Sequence, residues 1–192
     1  GGSNYYYVYN MNGTTAYVTD NTDISMNTVW SPNNQNILGI TDNDTISGGS
    51  ACNGAIDGKC NTQQILDAYP SSTSYPAYNC NISSAGGLSS GNWYLPALCE
   101  LNGSLYFNET SQSFVTCSGV PTGISSLYSL GKLGGSLNGF MSGAYWSATE
   151  DSQDPTDDVW LENFLTNTLQ SFTDNKTVGS LANARCVSRI PS

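Results

Sequence analysis

An α+β fold is what this chain predicts, and three observations predict it. Two runs rich in aromatic and β-branched residues, Tyr5 to Tyr9 and Thr14 to Thr19, flank an Asn12-Gly13 pair, a strong hairpin signal. Two later segments carry helix signals. From residue 144 onward, short β-rich runs recur between polar loops. The 192 residues fit one domain large enough to bury a sizeable core.

In order along the chain, the hairpin comes first. Tyr5, Tyr6, Tyr7 and Tyr9 cannot all face inward from one alternating strand, so some of them pack between subunits or lie exposed. Residues 20–50 are polar and broken by Ser31-Pro32 and Gly48-Gly49, which predicts loop, with a strand near Asn36 to Thr41. Asn61 to Tyr69 reads as a short helix with Asn61 as N-cap, stopped by Pro70. Leu95 to Phe107 reads as a second, with Pro96 in its first turn and Leu98, Leu101 and Leu105 as its apolar stripe. Residues 144–149, 159–165, 168–172 and 183–190 read as strands.

Composition removes several function classes. Charged residues make up 10% of the chain against a usual quarter, and the polar load rests on Asn, Ser, Thr and Gly. Five basic residues against fifteen acidic ones give −10, which repels nucleic acid and anionic membranes at long range. There is no histidine, so Ser-His-Asp and Cys-His catalysis are excluded, along with the commonest transition-metal ligand. No apolar run is long enough to span a bilayer, so membrane insertion is not expected. Six cysteines, none spaced as a zinc or redox pair, predict three disulfides and an oxidising compartment. Six cysteines allow fifteen connectivities.

Three short motifs then narrow the reading. Asn92 to Asn102, NWYLPALCELN, resembles the W-x-L-P-x-x-x-E-L helix start of bacterial extracellular domains with a C-type-lectin-like fold. Tyr145 to Glu150, YWSATE, resembles that family's Y-W-S-S-T-E strand. Ala184 to Ile190, ARCVSRI, resembles its closing R-C-V-R strand. The resemblance covers roughly residues 50 to 190. It implies a C-type-lectin-like fold, with two short helices, a small twisted and mostly antiparallel sheet, and long disulfide-pinned loops. Residues 1–3 read as a cloning remnant. Residues 4–192 then form one domain, with N-terminal strands and loop over 4–50 and the motif-bearing core over 51–190.

Within that family the nearest likeness is to the trimeric heads of collagen-like adhesins, which bind sulfated glycosaminoglycans. The resemblance therefore implies a secreted or cell-surface homotrimer that is not an enzyme. It also implies a disulfide between Cys80 and Cys186; local closure then gives Cys52 with Cys60 and Cys99 with Cys117. The tripeptides by which many such lectins chelate calcium and sugar are absent. No cofactor is expected. The acidic loop Glu150 to Asp158, with five carboxylates, offers oxygen ligands for calcium or is simply a solvated loop.

The basic residues are the candidate glycan contacts. In a continuous closing strand Arg185 and Arg189 share the face opposite Cys186; with Cys186 in the core, both point outward. Lys176 and Lys132 complete the expected sulfate-binding set, since guanidinium and ammonium groups match sulfate. The competing expectation is that the arginines pair with carboxylates such as Glu162 or Asp158. Two other functions stay open: a structural head that caps a trimeric stalk, and a module that binds a protein receptor.

Overall fold

The computed structural model describes residues 5–41, 52–70, 74–102, 105–108, 113–117, 143–164, 171–178 and 181–191. Among them the fold is α+β, with few short helices and three disulfides. Strands β1 (Tyr6–Asn12) and β2 (Thr15–Asp20) form the predicted hairpin. Its turn is Gly13-Thr14, one residue later than the Asn-Gly pair indicates. Gly13 takes φ 57°, which a residue without Cβ reaches at no steric cost. The pairing register slips between Val8 and Asn10, so Tyr9 is the extra residue of a bulge.

The remaining elements are β3 (Ser25–Thr28), β4 (Ile40–Thr41), β5 (Cys52–Asn53), α1 (Gly58–Ala68), α2 (Pro76–Ile82) and α3 (Leu98–Asn102). They continue with β6 (Leu105–Asn108), β7 (Ser113–Thr116), β8 (Ala144–Glu150), β9 (Asp158–Asn163), β10 (Ser171–Asn175), β11 (Ala182–Ala184) and β12 (Val187–Pro191). Two sheets organise them. One runs β1-β2-β12; the other runs β10-β9-β8-β11-β3, antiparallel except where β11 lies parallel to β8. Two-stranded pairs β4-β5 and β6-β7 flank them.

Helix boundaries differ from the sequence expectation for local reasons. Helix α1 starts at Gly58, because the Asp57 carboxylate caps it by accepting from Cys60 N at 3.4 Å. Asn61, expected as the cap, is buried inside the helix and donates Nδ2 to Gly54 O at 2.8 Å. The helix expected over 95–107 is only α3, and Leu105 already belongs to β6. Helix α2 was not anticipated, although Pro76 at its first position is a legitimate start signal.

All four tryptophans are buried, including Trp30 and Trp160, whose sequence context left them open. Trp30 and Trp146 cross-link the two sides of the larger core. Trp30 Nε1 donates to Ser147 O at 2.8 Å, and Trp146 Nε1 donates to Thr28 O at 2.7 Å. Helix α1 packs on β8, and α2 packs on β3 and on α1. The disulfides are Cys80–Cys186, as the resemblance implied, and Cys52–Cys60 and Cys99–Cys117, as local closure predicted. Cys80–Cys186 ties α2 to the residue just before β12 across 106 positions.

Candidate functional site

Three of the four charged residues in the motifs, Glu100, Glu150 and Arg185, turn inward, and the fourth, Arg189, keeps partial access to solvent. Glu100 of α3 is 3% exposed and collects four donors. It accepts from Ala97 N at 2.9 Å, Gly58 N at 3.2 Å, Tyr94 Oη at 2.9 Å and Arg189 Nη2 at 2.8 Å. One carboxylate thus joins the starts of α1 and α3 to β12. Its charge and burial push the Tyr94 and Tyr9 phenols well above their usual range, burial being the larger cause. The Arg189 guanidinium loses solvation at this site. The Glu100 carboxylate more than compensates, so its pKa is raised.

Glu150, at the end of β8, accepts from Ile37 N with both carboxylate oxygens at 3.2 Å and pairs with the Lys176 ammonium. Both partners are fully buried. Lys176 also donates to Gln35 O at 2.8 Å and Pro155 O at 2.6 Å, and its ammonium lies 4.9 Å from the centre of the Trp30 ring. Arg185 is likewise fully buried. Its Nε donates to Asp23 Oδ1 at 2.7 Å and its Nη1 to Asp20 O at 2.8 Å.

Two of the expected glycan contacts are therefore corrected. Arg185 does not share an outward face with Arg189. The closing segment is two strands, β11 and β12, broken at Arg185-Cys186, and strand parity does not carry across the break. Both Arg185 and Cys186 point into the interior. Lys176 sits in the core as the counter-ion of Glu150. The arginines do pair with carboxylates, but with Asp23, Glu100 and Asp57 rather than Glu162 or Asp158. Lys132 lies outside the described residues.

The acidic loop is also consumed locally. Glu150 faces Lys176, Asp151 accepts from Gln153 N at 3.3 Å, and Asp157 accepts from Asn34 Nδ2 at 2.8 Å. Among the described residues no group of three His, Cys, Asp or Glu side chains is arranged to hold a metal ion.

Among the described residues the basic side chains with solvent access are Arg189, which is 32% accessible, and Lys59, which is exposed and makes no ion pair. The two line one open cleft of about 410 Å³ between α1, the Trp93-Tyr94 segment and β12. Gln63, one turn after Lys59, and Asn81 add amide groups; Asp57 adds a carboxylate 3.6 Å from Arg189. Trp93 and Tyr94 form the inner wall but are only 1% exposed, so neither offers an open stacking face. The sequence reading missed Lys59 as a site residue. Its signal was its place beside Cys60, which the disulfide to Cys52 pins.

Comparison with protein-family models and with curated proteins finds no match to this chain.

Proposed function

We propose that this chain is a non-enzymatic, C-type-lectin-like head of a secreted or surface-displayed bacterial adhesin that binds anionic, sulfated polysaccharide. The observation that carries the reading is the cleft shared by Lys59 and Arg189. Lys59 stands in the first turn of α1, where the helix dipole disfavours a cation by about 0.3–1 kcal/mol. It is exposed, so folding gains little from it there. A ligand anion entering the cleft meets this ammonium, the accessible edge of Arg189 and the amides of Gln63 and Asn81. Three disulfides fit an oxidising compartment outside the cytosol.

One such cleft is weak, because Asp57 and Glu100 already offset Arg189 and the chain carries −10 overall. A homotrimer presents three clefts to one polymer, and avidity raises affinity by about 10² or more. Screening within about 8 Å at physiological salt leaves a local cationic cleft effective on an acidic molecule.

Titration with chondroitin sulfate and its desulfated form, at low and physiological salt, tests this. The expected result is saturable, salt-sensitive binding that needs sulfate and falls about tenfold or more in Lys59→Glu, as loss of a charge-assisted contact implies. Equal affinity for both polymers, or an unchanged Lys59→Glu, rejects the proposal.

A second reading, a structural head that caps a trimeric stalk, is favoured by the edge strand β1. Among the described residues β1 lies at the edge of its sheet, and Val8 and Met11 within it and Tyr5 just before it are exposed at 51%, 54% and 46%. Light scattering that shows trimers without any glycan binding selects it.

A further inference from the structure

A second, larger cleft of about 640 Å³ opens on the other side of the α2 C-terminus, in the size range of small-molecule sites. One wall is the β2–β3 connection, Asp20 to Ile24. The other is the end of α2 and the 3-10 turn Ala85–Gly87. Its chemistry is unlike that of the Lys59 cleft. Among the described residues no cation and no aromatic ring lines it; the polar groups are amides and hydroxyls, with Asp20 as the single carboxylate.

The walls are held in place. Asn79 Nδ2 donates to Ser25 Oγ at 2.7 Å and to Ser74 Oγ at 3.0 Å, so one amide links the rim to β3. Asp20 Oδ1 accepts from Thr22 N at 3.2 Å and shapes the opposite wall, while Arg185 anchors that wall from behind through Asp20 O. The 3-10 turn rests on the Tyr6 ring: Gly86 has φ 58°, and a Cβ there would lie 2.6 Å from Tyr6 Cδ1. Ile24 is half-buried and Ile82 is 50% exposed, and together they give the cleft an apolar flank.

We infer that this cleft is a saccharide subsite for an uncharged hexopyranose unit. A pyranose has a C–H face and a rim of hydroxyls that both donate and accept. The isoleucine flank suits the first; Asn21, Thr22 and Ser84 suit the second, while Asn79 holds the rim. Sulfated or carboxylated sugars are repelled by Asp20 and by the net charge of −10, with no cation among the described lining residues to offset them. The site is independent of the Lys59–Arg189 cleft and stands or falls separately from the anionic-glycan reading.

Amide chemical-shift mapping on the intact 15N-labelled protein tests it. The probes are methyl α-glucoside, methyl α-mannoside, methyl β-galactoside and N-acetylglucosamine, with glucuronate and glucose 6-sulfate as charged counterparts. At least one neutral sugar should shift Asn21, Thr22, Asn79 and Ala85 saturably while the charged sugars leave them in place. Ser84→Trp, at an exposed rim position, should weaken that sugar at least tenfold with the rest of the spectrum unchanged. Asn21→Trp repeats the block from the opposite wall. The inference is overturned if no neutral sugar moves these amides up to about a hundredfold above a millimolar Kd. It is equally overturned if the charged sugars move them as well, or if both tryptophan variants bind like the parent. Shifts at Lys59, Gln63 and Asn81 with the charged sugars, and none at any residue with the neutral ones, would support the first cleft and overturn this one.

Discussion

At the scale of single residues, the buried charges decide most. Lys176 and Glu150 satisfy each other in the core, together with Ile37 N, Gln35 O and Pro155 O. Removing one partner strands the other. Lys176→Met is expected to cost about 3–5 kcal/mol, and adding Glu150→Gln should recover part of it because a neutral amide needs no counter-ion. Urea unfolding of the three proteins checks this; a Lys176→Met loss under 1 kcal/mol would mean that the pair is not isolated from water. Asp20 acts in the opposite sense. Burial pushes its carboxyl above the ordinary value of 3.8, with Thr22 and Arg185 pulling the other way. The native state then holds this proton more tightly than the unfolded chain. Stability from this group is full below 3.8 and is lost as pH rises through the native value. Asp158 shifts the same way, from burial first and then from Asp154, Asp157 and Asp174. Asp20→Asn keeps the acceptor for Thr22 and should raise stability at neutral pH while flattening the fall above 3.8. Identical pH profiles for variant and parent would remove Asp20 as the source.

At the scale of elements, packing overrides propensity. Gly58 opens α1, where alanine would ordinarily favour the helix by up to about 1 kcal/mol. Here a Cβ would meet Glu100 Oε2 at 2.4 Å, Ala97 N at 2.5 Å and Leu95 O at 2.6 Å. Two of these are backbone atoms that cannot rotate away. Gly58→Ala should therefore destabilise by about 1–3 kcal/mol or more, and a thermal midpoint at or above the parent's would show that α1 slides freely on α3. The same close approach lets Glu100 reach both helix starts, and the motif NWYLPALCELN reflects it. Trp93 fills the core and bonds Ala85 O at 3.1 Å, Leu95 O accepts from Thr62 Oγ1 at 3.3 Å, and Glu100 closes the junction.

At the scale of the whole molecule, one of the three cross-links joins parts distant in sequence and two close short loops. The Cys80–Cys186 bridge spans 106 positions and Cys52–Cys60 spans 8. In the chain-entropy account the longer loop constrains the unfolded state more by about 2 kcal/mol. Replacing Cys80 and Cys186 by Ser should therefore lower stability by clearly more than replacing Cys52 and Cys60. Equal losses in equilibrium unfolding would show that native-state packing, rather than loop closure, sets their contributions. The Arg185–Asp23 pair, 162 positions apart, and the Tyr145 Oη bond to Asp23 Oδ2 at 2.8 Å brace the same region from within.

Patterning by itself determined the class and several elements. The hairpin was legible because aromatic and β-branched runs around a glycine specify a local turn, and the late strands were legible from their composition. The absence of histidine removed triad chemistry without any structure. The resemblance carried the Cys80–Cys186 bridge and the burial of Trp93 and Trp146, and local closure carried the two short-range bridges. Which way Arg185 points was not local information. It depends on a break between β11 and β12 that is imposed by the bridge at Cys186 and by Asp20 and Asp23, more than 160 residues away in sequence. The cleft chemistry was hidden for the same reason. Lys59, Arg189 and Asn81 come from α1, β12 and α2, and Asp20, Asn79 and Ser84 come from β2, α2 and the segment that follows α2. Charge count is a property of composition, but charge accessibility follows from which carboxylates the fold brings to each cation. Only the tertiary structure decided that two of the expected contacts are core ion pairs and that Lys59 stands open.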